Sequence, residues 1–105
     1  NSKYRELILE LKRLTSNIYI INIPYLGSPK IINQPYPPLL DWQIQQYNLQ
    51  IAQISQELSV PMIDLYSTTK QQFLVHSDLY SEDLFHPSDQ GYLVWSKIIT
   101  PQIRF

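Results

Sequence analysis

Apolar residues recur three and four positions apart in three segments of the chain, which predicts three amphipathic helices. In the first segment these positions are Tyr4, Leu7, Ile8, Leu11 and Leu14. In the second segment, residues 40–58, they are Leu40, Ile44, Tyr47, Ile51, Ile54 and Leu58. In the third segment, residues 91–99, the side chains available for the core are those of Tyr92, Trp95, Ile98 and Ile99.

Two further segments are apolar almost without interruption, as expected for strands that are buried on both faces. They are residues 17–23 and 60–66, and Pro61 is tolerated at the start of the second. Because the helix of residues 40–58 separates them, we expect adjacent parallel strands joined by one right-handed crossover. After the second strand, the chain is predicted to be irregular up to the last helix. A sheet of two parallel strands is too small to stand alone, so we expect further strands to complete it.

Residues 24–39 are predicted to form a stiff loop between the first strand and the second helix. The loop holds five of the eight prolines, together with Tyr25 and Tyr36, and proline restricts the backbone. It leaves the carboxyl end of a parallel strand, which is the edge where open α/β sheets bind ligands. The loop is therefore either a wall of a substrate pocket or a structural surface excursion, and the sequence leaves both interpretations open.

Composition limits the classes of protein to which the chain can belong. Its 105 residues suit one small domain. Charged residues make up 16% and apolar residues 44%, which fits either a domain with an apolar docking face or a compact domain with an uncharged surface. The net charge of −1 gives no electrostatic basis for binding nucleic acid. The chain has no cysteine, which excludes disulfides and thiolate chemistry, and no apolar run has membrane-spanning length.

The strongest chemical signal is an acid and a histidine three positions apart, Asp83 and His86, just before the last predicted helix. A histidine acts as a general base when another group holds its ring and stabilises the imidazolium, and a carboxylate in a tight turn does both. Pro87 suits a first helical position, and Ser88 or Asp89 can cap the helix. The sequence therefore predicts half of a catalytic triad at this turn.

Three other polar residues receive structural interpretations. Ser67 follows a strand but lacks the glycines that expose a nucleophilic serine at such a turn, so we expect a turn or capping role. Ser28 lies in a Gly-Ser-Pro turn signal. Asp64 lies in an apolar strand, and we expect its carboxylate to bind backbone N–H groups near the end of the sheet.

A metal site is an alternative use of the same region. His76 and Asp78, taken with Asp83 and His86, supply two imidazoles and two carboxylates, a ligand set that suits a divalent metal. Nothing in the spacing fixes their geometry, and we expect His76 to be a surface residue.

The segment D-L-F-H-P-S-D-Q-G-Y resembles the last conserved block of the SGNH (GDSL-type) hydrolases. Asp83 and His86 fall on the catalytic Asp and His of that family, and the supporting positions are Pro87, Asp89, Gly91 and Tyr92. The resemblance extends back through residues 61–67, the Tyr47-Asn48 helix and the strand of residues 17–24. The family's G-D-S-L, glycine and G-x-N-D blocks, which supply the nucleophilic serine and the oxyanion-hole donors, do not occur in this chain.

The resemblance implies a three-layer, flavodoxin-like α/β fold, of which residues 1–105 are the C-terminal part of a single domain. It also implies a serine esterase or lipase that cleaves small-molecule carboxylic esters and to which this chain supplies the catalytic Asp83 and His86. The expected partner is the N-terminal half of the same domain, which carries the serine; no cofactor or metal is implied. The chain alone is then expected to be inactive. Alternatives are a non-catalytic interaction module that retains the fold and a metal-dependent hydrolase.

Overall fold

A computed structural model describes residues 2–28 and 36–104, which form helices around a small parallel sheet. In chain order the elements are α1 (Ser2–Leu14), β1 (Ile20–Ile21), α2 (Tyr36–Leu58), β2 (Met62–Ile63), α3 (Leu65–Val75), a 3₁₀ turn (Ser77–Leu79), α4 (Asp89–Ile99) and a second 3₁₀ turn (Thr100–Gln102). None of the helices in this part of the chain combines the length and the apolarity that crossing a membrane requires.

The two strands lie side by side in parallel orientation. Ile20 is opposite Met62, and Ile21 is opposite Ile63. Helix α2 connects the strands, so the predicted unit of two adjacent parallel strands and a connecting helix is confirmed.

Both strands are shorter than the predicted segments, residues 17–23 and 60–66. The second is cut short because Leu65 and Tyr66 already belong to α3, and their N–H groups donate to the side-chain oxygen of Asn22 at 2.8 and 3.0 Å. The first strand is short because β2, with which it pairs, is only two residues long. The apolar runs therefore located the strands correctly but overestimated their lengths.

Helix α3 was not predicted, since the chain after the second strand was expected to be irregular. Asp64 caps the helix by accepting a hydrogen bond from the N–H of Ser67 at 2.9 Å. Leu65, Thr69 and Phe73 follow one another at intervals of four and are buried. The threonine hydroxyl donates to the Leu65 carbonyl at 2.6 Å, so it is compatible with burial. A threonine in the buried stripe weakens the apolar periodicity from which helices are predicted.

Helix α2 begins at Tyr36, four residues earlier than the predicted start at residue 40. Its first turn includes two prolines, which are tolerated there because the first N–H groups of a helix have no intrahelical acceptor. Tyr25 is buried. The remainder of the predicted loop, residues 29–35, lies outside the described residues.

In the described part of the chain, eight of the buried apolar side chains form two clusters. One cluster joins α1, β1 and α2 and consists of Ile8, Ile20, Ile54 and Val60. The other joins the segment after β1 with α3 and consists of Tyr25, Phe73, Leu79 and Tyr80. Trp95 of α4 packs partly buried against the second cluster, as predicted, whereas Tyr92 is exposed.

Helix α1 buries less of its apolar face than its sequence pattern offers. Ile8 is buried, but Leu7 is 56% exposed and Leu14 is 78% exposed. The helix is held to α2 by an ion pair at 2.8 Å between Arg5 and Glu57. Exposed apolar side chains of this kind are consistent with the apolar docking face, which is one of the two interpretations that composition left open.

Candidate active site

The segment between the first 3₁₀ turn and α4 is a tight loop closed by backbone hydrogen bonds. Tyr80 and Pro87 form an isolated antiparallel bridge. Within it the N–H of Ser81 donates to the His86 carbonyl at 2.8 Å, and the N–H of Leu84 donates to the Ser81 carbonyl at 2.9 Å. Leu84 has a positive φ of 59°. This left-handed backbone conformation lets the chain reverse direction within a few residues.

The side chains of Asp83 and His86 meet inside this loop. His86 Nδ1 lies 2.5 Å from Asp83 Oδ2. The other carboxylate oxygen, Oδ1, accepts bonds from the N–H groups of Phe85 and His86 at 2.9 and 3.0 Å and from the Ser81 hydroxyl at 2.8 Å. These donors, the His86 ring first among them, hold the pKa of Asp83 well below its usual range. The loop therefore places an ionised carboxylate against one nitrogen of the imidazole ring.

This arrangement selects one tautomer of His86. Because a carboxylate only accepts hydrogen bonds, Nδ1 must carry the proton of the short bond, which leaves Nε2 as the basic nitrogen of the neutral ring. Nε2 has no hydrogen-bond partner among residues 2–28 and 36–104, and the His86 side chain is 65% exposed. The Phe85 ring packs edge-on against the imidazole, with centroids 5.1 Å apart. The ring of His86 is thus held at Nδ1, and among the described residues no hydrogen bond engages Nε2.

Helix α4 anchors the loop from its C-terminal side. Ser88 is the N-cap: its hydroxyl oxygen accepts a hydrogen bond from the N–H of Gly91 at 3.2 Å, and its O–H group donates to the Asp78 carbonyl at 2.7 Å. The helix starts at Asp89, so Pro87 precedes the cap and does not occupy the first helical position that the sequence suggested. The prediction that Ser88 or Asp89 caps the helix is resolved in favour of Ser88.

The segment that follows β1 supports the loop from another side. The N–H of Ser28 donates to the Leu84 carbonyl at 2.7 Å, and Ser28 is buried. Gly27, with a φ of 83°, adopts the turn that its sequence predicted. The contact with the Asp83–His86 loop was not predicted, because a Gly-Ser-Pro sequence indicates a turn but not what the turn touches.

A buried amide links the carboxyl ends of the two strands. Asn22 Nδ2 donates to Asp64 Oδ1 at 2.9 Å, and the same oxygen accepts the N–H of Ser67. Burial raises the pKa of Asp64, but the hydrogen bonds from Ser67 and Asn22 outweigh it, so that the pKa lies below its ordinary value. Asp64 has the predicted structural role. Ser67 lies in the first turn of α3 and makes no hydrogen bond with His86 among the described residues.

A second polar cluster joins α2 to α3. The Tyr66 hydroxyl donates to Asp41 at 2.7 Å, and Lys70 Nζ lies 3.1 Å from Asp41 and 2.9 Å from the Tyr66 oxygen. The lysine also lies over the rings of Tyr25 and Tyr66, at 5.6 and 5.1 Å. The hydrogen bond with Tyr66, and then that with Asp41, raises the pKa of Lys70. This cluster was not predicted; the available signal was the spacing of Tyr66 and Lys70, which lie four residues apart on a helix.

The alternative metal site is not assembled in the described part of the chain. His76 lies at the C-terminus of α3, where its N–H donates to the Gln72 carbonyl, and it is exposed, as predicted. Within residues 2–28 and 36–104, no three side chains of histidine, aspartate or glutamate converge as metal ligands would. His76 and Asp78 therefore do not join Asp83 and His86 in a ligand set.

The described residues thus form a parallel α/β unit with a histidine that is oriented by a carboxylate. The sequence profile of the GDSL-like Lipase/Acylhydrolase family matches residues 1–94. The chain belongs to this family, and the resemblance predicted from its sequence is confirmed. At the level of the family, it is a hydrolase of the esterase and lipase type. Comparisons with curated proteins and with solved structures gave no match.

The lowered pKa of Asp83 leads to a prediction about acid conditions. A free aspartate titrates near pH 3.9, whereas Asp83 should stay ionised through that range in the folded chain. The stability that its hydrogen bonds contribute is present above the ordinary pKa and is lost as the pH falls through the lowered one. Carbon-13 NMR of the carboxyl group, with the urea-unfolded chain as the control, measures the titration. A native midpoint at or above the unfolded one would contradict the hydrogen-bonded geometry.

Proposed function

We propose that Asp83 and His86 are the orienting carboxylate and the general base of a serine esterase, and that a preceding polypeptide segment supplies the nucleophilic serine and the oxyanion hole. The observation that carries this proposal is the 2.5 Å contact between His86 Nδ1 and Asp83 Oδ2, with Nε2 left open. Membership in the lipase and acylhydrolase family supplies the reaction class.

In the proposed reaction, His86 Nε2 accepts the proton of the serine hydroxyl while the serine oxygen attacks the ester carbonyl. The imidazolium that forms is stabilised by the Asp83 carboxylate. The same proton then passes from Nε2 to the departing alcohol, which leaves an acyl-serine. Water attacks the acyl carbon as Nε2 accepts its proton, the carboxylic acid departs, and the serine regains a proton from Nε2.

The contacts of Asp83 Oδ1 support this assignment of roles. Three donors fix that oxygen, which leaves Oδ2 directed at the ring and prevents the carboxylate from rotating. A catalytic acid–base pair must be held in position before the substrate arrives, because reorganisation during the reaction raises its barrier. Ser81 is accordingly proposed as a positioning residue for Asp83.

The partner in this proposal is the N-terminal half of the same domain, and residues 1–105 form the C-terminal half. The complete domain would have the three-layer, flavodoxin-like fold, with further parallel strands extending the β1–β2 pair. Two features support this proposal: the sheet has only two strands among the described residues, and α1 leaves apolar side chains exposed. The substrate is a small-molecule ester.

A direct consequence is that the isolated chain should not hydrolyse esters beyond the background of imidazole catalysis. A base without a nucleophile and an oxyanion hole lacks most of the transition-state stabilisation of acyl transfer. The rate with a short-chain aryl ester should not exceed that of an equal concentration of free imidazole. The Ser67→Ala variant is the control. Turnover that this substitution abolishes would show that Ser67 is the nucleophile and would overturn the proposed division of roles.

The proposal itself is tested by combining this chain with the serine-bearing segment and measuring ester turnover. Assembly should restore turnover, and turnover should depend on His86. An assembled protein that binds its two parts but hydrolyses no ester would instead support the non-catalytic interaction module.

A further inference from the structure

The Phe85 side chain contacts the proposed base but takes no part in the proposed proton transfers. Its ring packs edge-on against the His86 imidazole, with the centroids 5.1 Å apart and the planes inclined at 74°. The N–H of Phe85 donates to Asp83 Oδ1 at 2.9 Å, and this bond fixes the backbone from which the ring projects. Phe85 is only partly buried, so some of its surface is open to another molecule.

The backbone of the loop brings the two rings to the same side. Side chains of consecutive residues in an extended chain point in opposite directions, whereas Phe85 and His86 are in contact. The left-handed conformation of Leu84 reverses the chain just before them, and the Leu84 carbonyl is held by the N–H of Ser28. The loop therefore presents a phenyl ring and the imidazole as one surface.

The charges around this surface are all negative. Residues 71–96 include four carboxylates and no lysine or arginine. The carboxylates are those of Asp78, Glu82, Asp83 and Asp89. Residues 22–28, the segment that contacts the loop through Ser28, carry no charge. An anionic group beside the imidazole would thus meet like charges, and none of these residues supplies a counter-ion.

The proton path of the proposed mechanism decides which part of the ester lies beside Phe85. His86 Nε2 passes its proton to the departing alcohol, so the alcohol oxygen must lie within about 2.6–3.2 Å of Nε2. The group attached to that oxygen is then next to the imidazole and within reach of the phenyl ring. A cationic group there would be repelled by the imidazolium and an anionic group by the carboxylates, whereas an uncharged apolar group meets neither cost.

We propose that Phe85 is a specificity-determining residue, which contacts the alcohol portion of the ester and selects an uncharged, apolar alcohol. Burial of an alkyl or aryl group against the phenyl ring supplies the selection, and His86 and Asp83 supply the chemistry. This inference rests on the proposed function, because the proton path identifies the alcohol side of the ester.

Three acetates that differ only in the alcohol test the selection on the assembled enzyme. Neohexyl acetate is uncharged, acetylcholine is its cationic counterpart of the same shape, and O-acetyl isethionate is anionic. After each kcat/KM is divided by the rate of hydroxide-catalysed hydrolysis of the same ester, neohexyl acetate should lead by about tenfold, a discrimination that an apolar contact typically gives. An equal or higher value for acetylcholine or O-acetyl isethionate would overturn the proposal.

Two variants of similar side-chain size separate polarity from bulk at this position. Phe85→Gln should lower kcat/KM for neohexyl acetate about tenfold, whereas Phe85→Leu, which keeps an apolar side chain, should lower it less than about threefold. Leu93→Ala truncates an exposed apolar residue of α4 and should change none of the three rates. Equal losses in Phe85→Gln and Phe85→Leu, or an equal loss for all three esters in Phe85→Gln, would make Phe85 a structural residue of the loop and refute the selection.

Binding of the product alcohol is measured without turnover, so the two proposals fail in different ways. Addition of neohexyl alcohol to the assembled protein should shift the NMR signals of the Phe85 and His86 rings, and Phe85→Gln should abolish the shifts. Such binding by an assembly that hydrolyses no ester would refute the proposed function and keep the apolar alcohol site. Ester hydrolysis that is indifferent to Phe85, with no shift on addition of the alcohol, would do the reverse. The ¹⁵N shifts of the imidazole in each variant show whether the bond between Asp83 and His86 persists.

Discussion

His86→Ala should reduce the turnover of the assembled esterase by about 10²–10⁴-fold, the range that general acid–base catalysis typically contributes. The substitution removes the nitrogen that accepts the serine proton in the proposed mechanism. Because the His86 side chain is 65% exposed and contributes its ring to no core cluster, the fold should persist. Steady-state kinetics with a short-chain aryl ester, and the melting temperature of the same sample, measure the two effects. Full activity with an intact fold would remove His86 from the mechanism.

Asp83→Asn should lower the turnover of the assembled esterase almost as much as His86→Ala does. Three donors surround Oδ1, so the amide oxygen of an asparagine would take that place and turn its NH₂ group toward His86. An NH₂ group opposite Nδ1 favours the tautomer that carries its proton on Nε2, which cannot accept one from serine. Asp89→Ala is the matched control, because Asp89 lies in the first turn of α4 without contacting the ring. If Asp89→Ala abolishes activity while Asp83→Asn leaves it unchanged, Asp83 is not the carboxylate that orients His86.

The sequence was sufficient for the features that depend on local spacing. Continuous apolar runs located both strands, and the helix between them made their parallel adjacency the expected arrangement. Asp83 and His86 are three residues apart, so a single turn of backbone decides their contact. The capping serine likewise acts on a residue three positions later. Each of these features requires no knowledge of distant parts of the chain.

The features that were missed depend on contacts between distant residues. Helix α3 begins at Leu65, where the Asn22 side chain accepts the N–H groups of Leu65 and Tyr66, and the sequence around Asn22 does not indicate these partners. The side-chain amide of Asn48 likewise pairs with both backbone groups of Ile23, which lies 25 residues away along the chain. In α1 the apolar spacing was correct, but which leucines are buried depends on the surface that covers them. Sequence periodicity identifies an apolar face without identifying its neighbour.

Gly91→Ala should destabilise the chain, against the usual trend for an alanine in a helix. Alanine ordinarily stabilises a helix by about 0.5–1 kcal/mol relative to glycine. Here an added Cβ would lie 2.2 Å from the Leu79 carbonyl oxygen and 2.9 Å from Pro87 Cβ. The first of these neighbours is backbone and cannot rotate away, so α4 or the 3₁₀ turn must shift. We expect a loss of about 1–3 kcal/mol, the usual cost of overpacking.

The shift should also disturb the loop that holds Asp83 and His86, because the Leu79 carbonyl that would clash accepts the N–H of Ser88 at 2.8 Å. That bond fixes the end of the loop holding His86, so turnover of the assembled enzyme should fall along with stability. Urea unfolding of Gly91→Ala measures the first effect, and kinetics below the unfolding transition measure the second. Gln90→Ala, an exposed neighbour in the same helix, is the control and should change neither. If Gly91→Ala is as stable as the unchanged chain, the close approach of α4 to Leu79 is not what holds the loop in place.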